Sequence, residues 1–232
     1  MLVSILLGDG DILSKVIYVA LYLIAIIISF SFHEWAHAHA AYKMGDDTAR
    51  LMGRMTLNPV AHIDPMGFIM ILIVGFGWAK PVPVNPRNYR NYRWGEFRVS
   101  FAGIFTNLVI AFISAFIYVF LMVSEYKTGR QLPDTIFTFL MILGMLNCAL
   151  AVFNLLPIFP LDGAHIFELI FGKLIGARAI AWIHSHGNLL LMILFGVSFL
   201  LSRMGISIVG DVADWVFTRF CNLFLWIAGF IL

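Results

Sequence analysis

The hydrophobic positions of this chain do not alternate or recur every three to four residues over most of its length. They fill long blocks broken by short polar stretches. Residues 12–44 run without glycine or proline as far as Gly45, which predicts one continuous helix closed by a glycine C-cap. At 1.5 Å per residue such a helix is ~50 Å long, well over a ~30 Å hydrocarbon core, so it tilts or protrudes. Residues 97–123, 134–156 and 179–202 predict three more spanning helices, the first two joined by the polar loop SEYKTGRQLPD. Residues 212–232 read as a fifth span or as an interfacial helix, because Arg219 interrupts them. The apolar stretch from Met66 to Trp78 is too short to cross and is bounded by Pro65 and the breaker-rich AKPVPVNPRN. It predicts a re-entrant or half-inserted segment, allowed at membrane depth where protein or a water-filled cavity satisfies its backbone. Residues 166–176 predict a short helix.

The fold class expected is therefore an all-α polytopic membrane protein. It has four to five transmembrane helices plus a re-entrant or short β-like segment around residues 66–86. Composition agrees: of 232 residues, 61% are hydrophobic and 12% charged, and the mean hydropathy is +0.93. A soluble domain is about half apolar and about a quarter charged. No polar stretch approaches the ~50 residues of the smallest ordinary domain, so no PDZ-like or nucleotide-binding module is expected. One integral-membrane domain covers 1–232, with a core over about 12–176 and C-terminal helices over about 179–232. Cys148 and Cys221 lie in apolar segments and support neither a disulfide framework nor a cysteine metal site. MLVSILLGDGDILSK lacks a basic n-region and a small-residue cleavage site, so it is read as mature sequence rather than a signal peptide.

Net charge of +2 decides nothing about partners, and nothing suggests nucleic acid. Its distribution says more. Seven lysines and arginines lie between Gly45 and Arg98: Arg50, Arg54, Lys80, Arg87, Arg90, Arg93 and Arg98. The loop near 124–134 carries only Lys127 and Arg130. The positive-inside rule then places the 45–98 region in the cytoplasm, and an active site near it on the cytoplasmic side of the cell membrane.

Chemistry concentrates in FSFHEWAHAHAAYKMG, residues 30–45. His33-Glu34-Trp35-Ala36-His37 is HExxH, and positions i and i+4 of a helix share a face, so His33 and His37 can present two imidazoles to one ion. Glu34 lies beside them, where it can take a proton from water. Ionisable groups within an apolar helix are costly and mark function. A hydrolytic zinc site takes three protein ligands and an open position, so a third ligand is required elsewhere. His39 falls roughly 240° round the helix from His33 and cannot share the ion. It is read as a packing or interface residue, and the alanines at 36, 38, 40 and 41 suit close helix approach. A homo-oligomer is a separate expectation that no particular residue carries. The third ligand is sought in NLLPIFPLDGAH, residues 154–165, where Asp162 is either a ligand or an N-cap.

HEWAH on the first helix, with FNLLPIFPLDG more than a hundred residues later, resembles the site-2 protease family of intramembrane zinc metalloproteases. That family pairs HExxH with an NxxPxxxxDG-type motif, matched here by Asn154, Pro157, Asp162 and Gly163. GRMTLNPVAHIDPMG (53–67) and GWAKPVPVNP (77–86) look like its compact members without a PDZ insert. FAGIFTNLVIA is similar to an AGPxxN stretch, with Ile104 in place of the proline and Asn107 kept. The resemblance implies one Zn²⁺ on His33, His37 and Asp162, Glu34 as general base, and single-span membrane proteins in the bilayer as substrates. A membrane metal-ion transporter or metal-binding protein would use the same ligands, but the position of Glu34 favours hydrolysis.

Asn154, Asn58 and His62 are further candidates for contacts to the substrate or its oxyanion. Against them stand capping and turn roles. His165 is read as a structural contact near Asp162, and His184 and His186 as packing residues. KPVPVNP reads as an edge strand or polyproline-like segment, able to hold an unwound substrate by β-augmentation.

Overall fold

The computed structural model describes residues 11–74 and 77–231. The N-terminal residues 1–10, residues 75 and 76 of the segment expected to be half-inserted and residue 232 lie outside the described residues. Among those described the chain forms eight α-helices and no strand. They are α1 (Ile12–Met44), α2 (Thr48–Leu51), α3 (Pro65–Val74), α4 (Tyr92–Thr128), α5 (Asp134–Asn154), α6 (Asp162–Ile175), α7 (Ala177–Arg203) and α8 (Ile208–Ile231).

Four of these are long and apolar enough to cross a membrane: Ile12–Met44, Tyr92–Thr128, Asp134–Asn154 and Ala177–Ser202. Helix α8 is not among them. Helix α1 starts on Asp11, whose carboxylate accepts from the Ser14 amide at 2.8 Å, and ends at Gly45 in the left-handed region. Helix α4 begins five residues earlier than its apolar block suggests. Asn91 caps it by accepting from the Trp94 amide.

Helices α1, α4 and α5 pack against one another, α8 leans on α4 and α5, and α6 lies against α4. The buried positions are mostly small: Ala25, Ala36, Ala38 and Ala41 on α1, Ala111 and Ala115 on α4, Ala151 on α5. Without a hydrophobic effect inside lipid, close backbone approach supplies the packing. Asn147 on α5 adds a buried bond across the bundle, donating to Ser29 Oγ on α1 at 2.8 Å. Large apolar side chains such as Phe105, Phe120, Met192 and Trp226 point outward.

The region between α1 and α4 differs in part from the sequence expectation. Residues 65–74 form a helix, and the β-like character reduces to one antiparallel bridge, Ile63 to Ala79. Residues 80–85 carry no helix or strand and join no ladder, so of the two expectations for KPVPVNP the edge strand does not form.

Candidate metal centre

His33 and His37 lie on one face of α1, as the i, i+4 spacing requires. Their Nε2 atoms are 3.0 Å apart. Asp162, in the first turn of α6, places Oδ2 at 3.5 Å from His33 Nε2 and 3.3 Å from His37 Nε2. These three are the cluster of metal-capable side chains found among the described residues.

Two turns of chain geometry bring the aspartate there. Pro157 and Pro160 separate α5 from α6, and Asp162 opens the new helix. The close contact depends on Gly163: a Cβ there would fall 2.3 Å from the Leu155 carbonyl oxygen at the end of α5. Helix α4 approaches from the other side. A Cβ on Gly103 would lie 2.5 Å from both His33 Cε1 and His37 Nε2. The backbone of α4 also orients one candidate ligand, since His37 Nδ1 sits 2.8 Å from the Val99 carbonyl oxygen. Donating that proton leaves Nε2 with its lone pair toward the cluster.

The donor set fits zinc. Three nitrogen and oxygen atoms held 3.0–3.5 Å apart repel one another unless a proton or a metal cation lies between them, and a metal satisfies all three at once. Tetrahedral bonds of 2.0–2.2 Å leave ligand atoms roughly 3.3 Å apart. Asp162 Oδ2 is buried with no hydrogen-bond partner, as a metal-facing oxygen would be.

Glu34 is buried beside the pair, and its Oε2 accepts from the Val82 amide at 2.7 Å. His165, one turn beyond Asp162, is 2.9 Å from Glu96 Oε1 on α4. A cleft of about 240 Å³ opens next to this pair, lined in part by Arg93, Glu168 and Lys173.

The remaining candidates have other partners. Asn154 Nδ2 donates to the Leu150 carbonyl at 3.0 Å. Asn58 caps a 3-10 turn by accepting from Val60 N. His62 is fully buried, 2.7 Å from the Thr56 carbonyl oxygen. All three of these bonds are local, to residues within six positions in the chain. His39 stacks on Trp35 at 5.0 Å, and His184 lies on Phe159 and 2.9 Å from Glu168. Sequence reasoning missed Gly103, Val99, Glu96 and Val82. Gly103 and Val82 lay inside stretches that the sequence singled out, FAGIFTNLVIA and KPVPVNP, without being marked themselves.

A bundle of membrane-crossing helices holding HExxH against a distant aspartate defines a membrane-embedded metalloprotease. The model of peptidase family M50 matches residues 21–135 and 121–194. The chain belongs to that family, the site-2 proteases. It is 44% identical to the candidate zinc metalloprotease YwhC of Bacillus subtilis over 179 residues, 74% of this chain and 78% of the relative. It is 29% identical to the candidate zinc metalloprotease Rip2 of Mycolicibacterium smegmatis, over 66% of this chain and 60% of the relative. It is 26% identical to a zinc metalloprotease of Methanocaldococcus jannaschii, over 81% of this chain but 46% of that longer protein. No solved structure gives a significant match. The chain is accordingly a multi-pass membrane zinc metalloprotease, and Zn²⁺ is the cofactor its family implies.

Proposed function

We propose that this chain is an intramembrane endopeptidase that hydrolyses peptide bonds in or near transmembrane segments of membrane-anchored proteins. The observation that carries the proposal is the meeting of His33, His37 and Asp162, with the buried Glu34 next to His33 in the chain. His33, His37 and Asp162 would hold one zinc ion. Bound there, zinc supplies Lewis acidity to the carbonyl and lowers the pKa of water.

Glu34 then does the proton work. It accepts a proton from the attacking water as the hydroxyl oxygen bonds to the scissile carbonyl carbon. It passes that proton to the leaving amine as the carbon–nitrogen bond breaks. The three side chains are largely but not wholly withdrawn from solvent, and a polar cleft opens beside His165, one turn beyond Asp162. The arginine- and lysine-rich segment between α1 and α4 supports a site facing the cytoplasm of the cell membrane. Residues 1–232 act as one membrane domain in this reading, and single-span proteins are the substrates.

The test is co-expression with single-span membrane proteins. Glu34→Gln is expected to lose cleavage while retaining one zinc per chain. A Glu34→Gln protein that still cleaves would sink the assignment of the base, and a transporter would keep metal flux in that variant.

A further inference from the structure

We propose that residues 80–88 form a strap whose single buried donor, the Val82 amide, positions the Glu34 carboxylate. The proposal rests on the reading of Glu34 as the base.

Pro81 and Pro83 have no N–H, so the Pro81-Val82-Pro83 stretch has one amide hydrogen to give. It goes to Glu34 Oε2 at 2.7 Å, across 48 residues of chain. The carboxylate takes no other hydrogen bond among the described residues, which leaves Oε1 for water. The Val82 side chain is buried with Ala38 of α1, Ala49 of α2 and Met55, so the amide is held at a fixed depth over α1.

Both ends of the strap are anchored. Upstream, the Lys80 amide donates to the His62 carbonyl at 2.8 Å. The Arg54 guanidinium donates to the carbonyls of Lys80 at 2.8 Å and Pro81 at 3.3 Å. Downstream, the fully buried Asp46 accepts from the Asn85 amide at 2.7 Å and from Asn88 Nδ2 at 2.8 Å. The Arg90 amide donates to the Met44 carbonyl at 2.9 Å, returning the chain to the end of α1. The prolines restrict the backbone of this segment before folding, so less freedom is lost in setting the donor. A base held by a locked supporting shell keeps the geometry its chemistry needs. Val82 is thus a positioning residue.

Amide hydrogen exchange on the zinc-loaded full chain tests this directly, because peptides across 81–83 report one hydrogen from that stretch. Slow exchange is expected in the wild type, and exchange at least about tenfold faster in Glu34→Ala, as a lost bond to a charged acceptor predicts. The infrared antisymmetric carboxylate stretch of Glu34, identified by its loss in Glu34→Gln, is expected to shift in Val82→Pro and stay in Val82→Ala, which keeps the N–H. Toward a single-span model peptide cleaved by the wild type, Val82→Pro is expected to lower kcat by on the order of tenfold to a hundredfold, with KM and zinc content kept. Val82 exchange indifferent to Glu34→Ala would overturn the proposal, and this needs no strap variant to fold. So would a Glu34 stretch or kcat indifferent to Val82→Pro. Cleavage by Glu34→Gln would instead remove the base assignment, leaving the exchange result to speak for the bond alone.

Discussion

Gly103 on α4 faces His37 so closely that a methyl group in place of its hydrogen would lie 2.5 Å from the His37 Nε2 atom. The same methyl would press on His33. Gly103→Ala is therefore expected to turn both imidazoles and weaken zinc binding about 10- to 100-fold, as changes next to metal ligands do. Competition with a chelator of known affinity checks it. Unchanged affinity would mean that α4 can back away without cost.

Zinc on the three proposed ligands would hold together atoms that otherwise face one another. Chelation is expected to lower the thermal midpoint, since a ligand at a hundred times its Kd stabilises the native state by about 2.7 kcal/mol. Asp162→Asn removes the carboxylate from the set. In that variant the chelated and zinc-supplemented midpoints should converge, and bound zinc should fall well below one per chain. A calorimetric scan with metal analysis decides the matter.

Asp46 predicts an acid limb. Its burial raises the carboxyl pKa, but the Asn85 amide, the Thr48 hydroxyl and amide and the Asn88 side chain outweigh it and hold the group below its usual 3.8. A carboxylate depressed on folding stabilises the protein above its unfolded pKa and loses that contribution as pH falls through the folded value. Acid denaturation should therefore steepen below about pH 4. Asp46→Asn should cost about 2 kcal/mol at neutral pH, because bonded buried donors lose a charged acceptor, and should flatten the acid limb. Urea unfolding of the detergent-solubilised protein across pH 3 to 7 measures both effects.

The His165–Glu96 pair acts in the opposite sense. The bond to Glu96, against the pull of burial, raises the imidazole above its ordinary 6.5. A histidine raised on folding contributes stability that is complete below its unfolded pKa and is lost as pH rises through the folded value. The stability advantage of wild type over Glu96→Gln should thus be largest below about pH 6.5 and shrink on going alkaline. An advantage that grew with pH would contradict the pairing.

HExxH could be read without a fold because both histidines belong to one helix, and i, i+4 spacing puts them on one face whatever else the chain does. Helix α1 was equally legible: an unbroken apolar block and Gly45 mark its end in residue types alone. Lipid makes such reading effective, since a spanning segment must satisfy its own backbone. Hydropathy reports residence in lipid rather than helicity, however. It stopped at 97 and 123 where α4 continues to Tyr92 and Thr128, because long charged side chains carry a helix beyond the apolar core. It also began the short helix at 166, whereas Asp162 and Gly163 already belong to α6. The distant contacts were a different matter. Asp162 could be proposed from its motif, but its position 3.3 Å from His37 depends on the tight passage at Gly163. The Glu96–His165 pair and the Val82 amide on Glu34 depend on which backbones meet. A hydrogen bond made by a backbone amide has no side-chain identity to betray it, so only the tertiary structure could decide where the Val82 N–H of KPVPVNP goes.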